Sequence, residues 1–107
     1  MRLLTSALQL EGGELEASVV AEALEPMRAQ LQRCYENALK RHPTLAGRFQ
    51  YTWVIRGRGR VALAKTGGKP RDGAGVRACG LRALERTRFP RPGKRAARVR
   101  AVFQLTP

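Results

Sequence analysis

Residues 49–65 read FQYTWVIRGRGRVALAK and predict a β-hairpin, from which the rest of the fold follows. From Phe49 to Ile55, aromatic and aliphatic side chains alternate with polar ones, which is the period of a strand with one buried face. The glycines of the RGRG segment can adopt the positive φ angles of a tight turn. Residues 60–65 then return to extended, largely apolar sequence. We therefore expect an antiparallel hairpin over residues 47–66.

An amphipathic pattern before the hairpin predicts helices. From Val20 onward, apolar residues recur every three or four positions and form one stripe that includes Cys34. Pro26 has no N–H and clashes with the preceding helical turn, so it either begins a second helix or kinks a continuous one. We interpret this segment as two helices, over residues 15–24 and 26–41.

The sequence after the hairpin predicts one more helix and one more strand. Helical spacing from Val76 through Cys79 continues to about residue 88 and ends before a Pro-rich turn. Residues 97–105 alternate between apolar and polar side chains, as in a strand. The expected element order is thus α-α-β-β-α-β.

This order predicts an α+β fold. A right-handed crossover after the hairpin places the third strand beside the first, giving a three-stranded antiparallel or mixed sheet of order 2-1-3. The helices should pack on one face, and the last strand should lie at an edge. Residues 1–13 are expected to be an N-terminal arm or linker, extended over residues 3–10, and residues 14–107 the domain.

Charge is distributed unevenly along the 107 residues, whose formal net charge is +13. Residues 1–36 hold 3 basic and 6 acidic side chains, whereas residues 37–107 hold 18 basic and 2 acidic ones. Such a field favours anionic partners and says little about fold. No apolar stretch approaches the roughly 18 residues of a membrane span, and the N-terminus does not resemble a signal peptide.

The two cysteines, Cys34 and Cys79, both lie on predicted core-facing positions of helices. Two buried reduced thiols, a disulfide and half of a metal site are the alternatives. Zinc requires four ligands at close spacings, and the chain has one histidine and one aspartate besides these cysteines, so a metal site is disfavoured. Without a known compartment, the residues favour the reduced pair, and the disulfide stays open as the alternative.

Several short motifs together resemble the AgmX/PglI C-terminal domain, a TonB-like module, over about residues 14–107. The matching segments are Cys34-Tyr35-Glu36, Ala38-Leu39, Pro43, Leu45, Gly47-Arg48, Gly59-Arg60-Val61, Cys79 and Phe89-Pro90-Arg91-Pro92. The chain departs from the family at Arg58-Gly59, where Asp-Gly is usual, at Thr87, near which the family has an aromatic residue, and at Ala101-Val102, where Tyr-Pro is usual. The resemblance implies a periplasmic domain of a larger envelope-spanning protein, anchored in the inner membrane and linked with gliding motility or energy transduction. In that oxidising compartment, a Cys34–Cys79 disulfide is expected.

The residue inventory argues against an enzyme, because no convergent set of titratable groups is evident. No cofactor or metal is expected. A protein-interaction domain is the favoured function, with a periplasmic or outer-membrane protein segment adding as a strand to the edge formed by the last strand. The candidate binding residues there are Arg95, Arg98, Val99, Arg100, Val102 and Gln104. The alternative is that these arginines only keep the edge soluble.

Two further hypotheses use the same charge. The basic hairpin tip, Arg56, Arg58 and Arg60, together with Tyr51 and Trp53, could bind nucleic acid, although those aromatic residues share the predicted buried face. The arginines could also contact an anionic envelope polymer or lipid headgroups. The oligomeric state and the partner's identity do not follow from the sequence.

Overall fold

Four strands, two helices and a 3-10 turn make up residues 2–71 and 73–107, the part of the chain that the computed structural model describes. In chain order, the elements are β1 (Arg2–Glu11), α1 (Ala17–Leu39), β2 (Gly47–Arg56), β3 (Arg60–Lys69), the 3-10 turn (Gly73–Gly75), α2 (Val76–Glu85) and β4 (Ala97–Thr106). The predicted hairpin is confirmed, because β2 pairs antiparallel with β3. The α+β class is consistent with the sequence analysis.

The predicted three-stranded sheet is wrong. The sheet has four antiparallel strands in the order β1-β4-β2-β3, so β4 lies inside the sheet and not at its edge. The additional strand is β1, which lies within the stretch expected to be an arm or linker. Leu3 pairs with Leu105, and Glu11 pairs with Arg98. The free edges therefore belong to β1 and β3.

A bulge explains why the pairing of β1 does not show in the sequence pattern. The register against β4 shifts between Thr5 and Ala7. Leu3 and Leu8 therefore pack on the same side of the sheet, although an odd separation in a regular strand would put them on opposite sides. The Ser6 hydroxyl donates a hydrogen bond of 3.3 Å to the Val102 carbonyl and ties the bulge to β4.

The prediction of two helices before the hairpin is also wrong, because α1 is continuous and contains Pro26. A proline removes the hydrogen bond to the carbonyl four residues earlier, here that of Glu22. Both Glu22 and Pro26 are exposed, so water can hydrate this carbonyl. Leu24 and Met27 on the buried side keep the helix packed against the sheet.

Both helices pack on one face of the sheet and enclose the core there. The alternating residues Phe49, Tyr51, Trp53 and Ile55 on β2 belong to the same buried cluster as the apolar stripe of α1 and the inner side of α2. Phe103 on β4 meets Tyr51 edge-on, with 5.8 Å between ring centroids. On the opposite face of the sheet, which we call the open face, none of the described elements forms a covering helix.

Candidate functional site

A disulfide joins the two helices. Cys34 on α1 and Cys79 on α2 are bonded, with 6.6 Å between their Cα atoms, which confirms the pairing that the resemblance implies. The Gln30 amide nitrogen lies 3.7 Å from the Cys34 sulfur and 4.0 Å from that of Cys79. Arg33 donates to the oxygen of the same amide at 2.6 Å. The bond fits an oxidising compartment outside the cytoplasm.

The aromatic residues of β2 are part of the core. Tyr51 and Trp53 are at most 2% exposed. The Tyr51 hydroxyl donates to the Arg77 carbonyl of α2 at 2.9 Å, and burial raises the pKa of this tyrosine well above its ordinary value. Neither ring is therefore on a surface where a nucleic-acid base could stack.

The open face is strongly basic. Side chains there alternate with the buried ones along each strand, and the cations that β2, β3 and β4 place on it are Arg48, Arg56, Arg60, Lys65, Lys69, Arg98 and Arg100. Two like-charged pairs lie directly opposite each other, Arg48 with Lys69 and Arg56 with Arg60. Opposed like charges destabilise a sheet. Glu11, opposite Arg98, is the acidic residue that the pairing of β1 adds to this face.

Arg100 is held in place by neutral partners. Its guanidinium donates to the Gln50 side-chain oxygen at 2.8 Å and to that of Gln9 at 3.5 Å. Gln50 belongs to β2 and Gln9 to β1, so the arginine bridges both neighbours of its own strand. Because amide oxygens carry no net charge, these bonds orient the guanidinium and leave its positive charge uncompensated.

A shallow depression crosses the open face at this point. Its volume is about 640 Å³, and all four strands contribute to its lining. Arg98, Arg100 and Lys65 supply cations, Val54 and Leu63 supply apolar surface, and the further lining residues are Gln9, Leu10, Glu11, Thr52, Trp53 and Val99. A smaller depression of about 290 Å³ beside Arg48 and Lys69 lies on the same face.

The free edge of β3 is interrupted in several ways. Leu63 has a positive φ of 54° where the register against β2 shifts. Arg60 forms an isolated bridge with Arg88, which occupies one end of the edge. Lysines at 65 and 69 add charge along the rest of the strand. Bulges and lysines are the devices by which edge strands avoid pairing with another chain.

The free edge of β1 carries fewer such devices. Its 10 residues have charges only at the two ends, Arg2 and Glu11. Leu4 is 44% exposed, and Thr5 and Ser6 after it are polar and exposed. The bulge near Ser6 and one hydrogen bond of 2.7 Å, from Arg28 of α1 to the Leu3 carbonyl, are the features that modify this edge. β1 is thus the strand most open to pairing with an additional chain.

The residues predicted on the last strand are placed differently from one another. Arg98, Arg100 and Gln104 have their side chains on the open face, while Val99 points into the core. Val102 lies on the open face but is buried, at 1% exposure, between Ala7 and Gln50. Arg95 is exposed in the connection before β4. The backbone of β4 is paired on both sides, so the expectation of an edge there was wrong.

The basic hairpin residues lie at one end of the sheet. Arg56 and Arg60 close the β2–β3 pairing, and Arg58 is exposed at the turn. Gly59 has a φ of 92°, and a Cβ there would lie 1.7 Å from the Phe89 carbonyl oxygen. The Phe89 N–H donates to the Gly59 carbonyl at 3.0 Å. Glycine at 59 therefore lets the segment after α2 dock on the hairpin.

Sequence reasoning missed the residues that complete the open face. Gln9, Gln50 and Lys65 each stand at a polar position of an alternating or extended segment, where a solvated side chain is ordinary. The pairings of β1 with β4, of β4 with β2 and of β2 with β3 bring them around Arg100. Alternation in β2 and β4 could have placed Gln50 and Arg100 on the same face, but not Gln9.

The described residues form neither a metal site nor a membrane-spanning helix. Within residues 2–71 and 73–107, no three histidine, cysteine, aspartate or glutamate side chains come together to hold a metal ion. In the same residues, neither helix combines the length and apolar character needed to cross a membrane. Comparison with protein families, with curated proteins and with solved structures finds no match for this chain.

Proposed function

We propose that this chain is a non-enzymatic protein-interaction domain of a larger envelope-spanning protein that serves gliding motility or energy transduction. It works in the periplasm and binds an extended segment of a periplasmic or outer-membrane protein. The segment adds as a strand to the free edge of β1. The resemblance to the AgmX/PglI C-terminal domain supports the proposed family. The free edge of β1 is the observation that supports the proposed mode of binding.

Strand addition suits β1 because main-chain groups provide the affinity. An edge strand leaves alternate N–H and C=O groups unpaired, and an extended peptide can satisfy them in the manner of an additional strand. Arg28 already donates to the Leu3 carbonyl, so pairing would extend over residues 4–11. The exposed side chains of Leu4 and Thr5 lie next to the incoming segment and would contribute to selectivity.

A peptide titration tests the binding mode. The isotopically labelled domain is titrated with peptides from periplasmic segments of outer-membrane transporters, and backbone amide shifts are recorded. The largest shifts are expected in residues 2–11, with smaller ones in β4. Shifts confined to β3 or to the helices would contradict addition at β1.

A pair of matched variants sharpens this test. Leu4→Lys places a charge beside the β1 edge, and Val19→Lys places the same charge on α1, where the native side chain is 37% exposed. Leu4→Lys should remove a cross-strand contact worth up to about 1 kcal/mol, which weakens peptide binding about fivefold. Val19→Lys should leave it unchanged. Equal effects of the two changes would indicate a response to charge alone.

The periplasmic location has its own test. Intact mass is measured on protein from its native source after thiol alkylation without reduction. A mass two hydrogens below that of the reduced chain indicates the Cys34–Cys79 bond in the cell. Two alkylated cysteines would place the domain in a reducing compartment and argue against the proposed family.

A further inference from the structure

The depression on the open face has the features of an anion-binding site. Arg100 is oriented by two glutamine oxygens without losing its charge, and Arg98 and Lys65 line the same depression. A solubilising surface intersperses charges of both signs, whereas this face keeps like-charged residues directly opposite each other. Within the depression, the cations Arg98, Arg100 and Lys65 outnumber one carboxylate, Glu11 opposite Arg98, and this excess of positive charge concentrates anions at the surface.

The glutamines add hydrogen-bond donors to the cations. An arginine side chain has no acceptor atom, so Gln9 and Gln50 present their oxygens to Arg100 and direct their NH₂ groups elsewhere. A Cβ at position 67 would lie 3.3 Å from the Gln50 amide nitrogen, so Gly67 leaves room for that amide. The guanidinium, the Gln9 amide and the Thr52 hydroxyl give an oxyanion several donors within one depression, and the Gln50 amide lies beside it in the smaller depression.

Apart from Glu11, which lies opposite Arg98, the rest of the lining is apolar. Leu63, 67% exposed, stands on β3, and Val54 lies on β2 between the cationic strands. The four strands across which the depression runs span about 14 Å, since neighbouring strands are ~4.8 Å apart. That distance corresponds to about four residues of extended peptide.

We infer that this depression is a second docking site, separate from the β1 edge, for an extended acidic peptide segment that also carries apolar side chains. Its carboxylates meet Arg98, Arg100 and Lys65, and an aliphatic side chain covers Val54 and Leu63. A carboxylate matches the fork of an arginine, which gives two parallel hydrogen bonds. The site does not depend on strand addition at β1.

Peptide fits this surface better than single-stranded nucleic acid does. Proteins that bind single strands without sequence preference combine a basic groove with aromatic rings on which bases stack. The rings of β2 and β4 lie on the other face of the sheet, beneath the helices. Trp53 also lines the depression, but it is 2% exposed and belongs to the buried cluster, so its ring is not available to a base.

Binding of a defined probe tests the inference. The probe is a fluorescein-labelled octapeptide of alternating Glu and Leu, measured by fluorescence polarisation in 150 mM NaCl. Its comparators are the same peptide with Gln for each Glu and an oligothymidylate of eight nucleotides. We expect the acidic peptide to bind and both comparators to bind at least tenfold more weakly.

Three variants localise the binding. Arg100→Gln should weaken it about tenfold, because a bidentate charge-assisted contact is lost. Arg95→Gln removes the same charge outside the depression and should change the affinity less than twofold. Lys65→Gln, at an exposed side chain on β3, provides a second change in the depression if the loss of Arg100 disturbs the sheet. Thermal unfolding of each variant verifies the fold.

Several outcomes would overturn the inference. Equal losses for Arg95→Gln and Arg100→Gln would show diffuse attraction to a basic surface. Tighter binding of the oligothymidylate would assign the face to nucleic acid. A loss of binding in Leu4→Lys but not in Arg100→Gln would move the peptide to the β1 edge. If the acidic peptide did not bind at 150 mM NaCl, the proposed docking site would be wrong.

Discussion

Single residues set how closely the helices approach the sheet, and Gly80 is the tightest of these contacts. A Cβ at this position would lie 2.3 Å from the Tyr51 hydroxyl oxygen and 2.9 Å from a methyl carbon of Leu31. The tyrosine hydroxyl is anchored to the Arg77 carbonyl, so it cannot turn away without losing that bond. The absence of a side chain at Gly80 thus allows α2 to pack on both α1 and β2.

Gly80→Ala should destabilise the domain although alanine is the better helix former. The gain in helix propensity is about 1 kcal/mol, while overpacking a core contact costs about 1–3 kcal/mol and the Arg77 bond is also put at risk. Chemical denaturation measures the net change. Ala78→Gly, at an exposed position of the same helix, is the control and should cost about 1 kcal/mol. A more stable Gly80→Ala variant would contradict the packing described.

The buried hydroxyl of Tyr51 should make the folded domain less stable at alkaline pH. Burial raises its pKa in the folded state above 10.0, the ordinary value that the unfolded chain should show. The contribution of the neutral hydroxyl to stability is therefore complete below pH 10 and is lost as the pH rises towards the folded-state pKa. Tyrosinate absorbance and circular dichroism should change together above pH 10. In Tyr51→Phe, the loss of structure should follow tyrosine ionisation less closely. If every tyrosine ionised at its ordinary pKa while the protein stayed folded, the prediction would be wrong.

The disulfide should account for a large part of the stability. It closes a loop with a sequence separation of 45 residues. In the chain-entropy model, such a loop is worth about 4 kcal/mol. The double variant Cys34→Ala/Cys79→Ala should lose about this much in denaturant unfolding, and a reducing agent should have a similar effect on the parent protein. A change below about 1 kcal/mol would show that the helices are held by packing alone.

Elements were predictable from sequence where their pattern is regular. Alternation from Phe49 to Ile55 and in β4 correctly identified strands, because every second side chain there enters the same core. β1 could be read as extended but not as paired, since its bulge shifts the alternation at Ser6. Pro26 suggested a break in α1 because helix propensity is a local property. The apolar residues of α1 before and after Pro26 are buried in one stripe, and their packing keeps the helix continuous. The assembly of Gln9, Gln50 and Arg100 depends on strand order, which local pattern does not contain.

Pro26 gives a prediction at the scale of the helix. Pro26→Ala restores an N–H that can bond the Glu22 carbonyl, and the exposed position has space for it. Helix propensity alone favours alanine by about 3 kcal/mol, and the stiffer unfolded chain of the proline form offsets about 1 kcal/mol of that. The variant should thus be about 2 kcal/mol more stable in denaturant unfolding. Pro43→Ala, outside the helix, softens the unfolded chain without restoring a helical hydrogen bond and should be up to about 1 kcal/mol less stable. Destabilisation by Pro26→Ala would contradict this view of α1.

Charge is organised over the whole molecule. The helices cover one face of the sheet, and the opposite face carries all seven cations of β2, β3 and β4. With a net charge of +13, these cations repel one another, and repulsion between exposed charges is screened by salt. The same arrangement that favours an acidic partner should therefore lower the stability of the isolated domain.

The domain should become more stable as salt is added. Raising NaCl from about 20 to 500 mM shortens the Debye length from more than 20 Å to less than 5 Å and should raise the thermal midpoint. Arg56→Glu, opposite Arg60, should reduce this salt effect and stabilise the protein by up to about 1 kcal/mol. Arg58→Glu at the exposed turn is the control for net charge. A midpoint that falls with NaCl would contradict a repulsive open face.

Amide hydrogen exchange along β1 and β4 tests the proposed binding mode most directly. In the free domain, amides of β4 should be protected because both sides of that strand are paired, while alternate amides of β1 face solvent and should exchange rapidly. When a transporter-derived peptide that binds the domain is added, those β1 amides should become protected, and β4 should be unchanged. Rapid exchange in β1 that persists in the saturated complex would contradict strand addition at this edge.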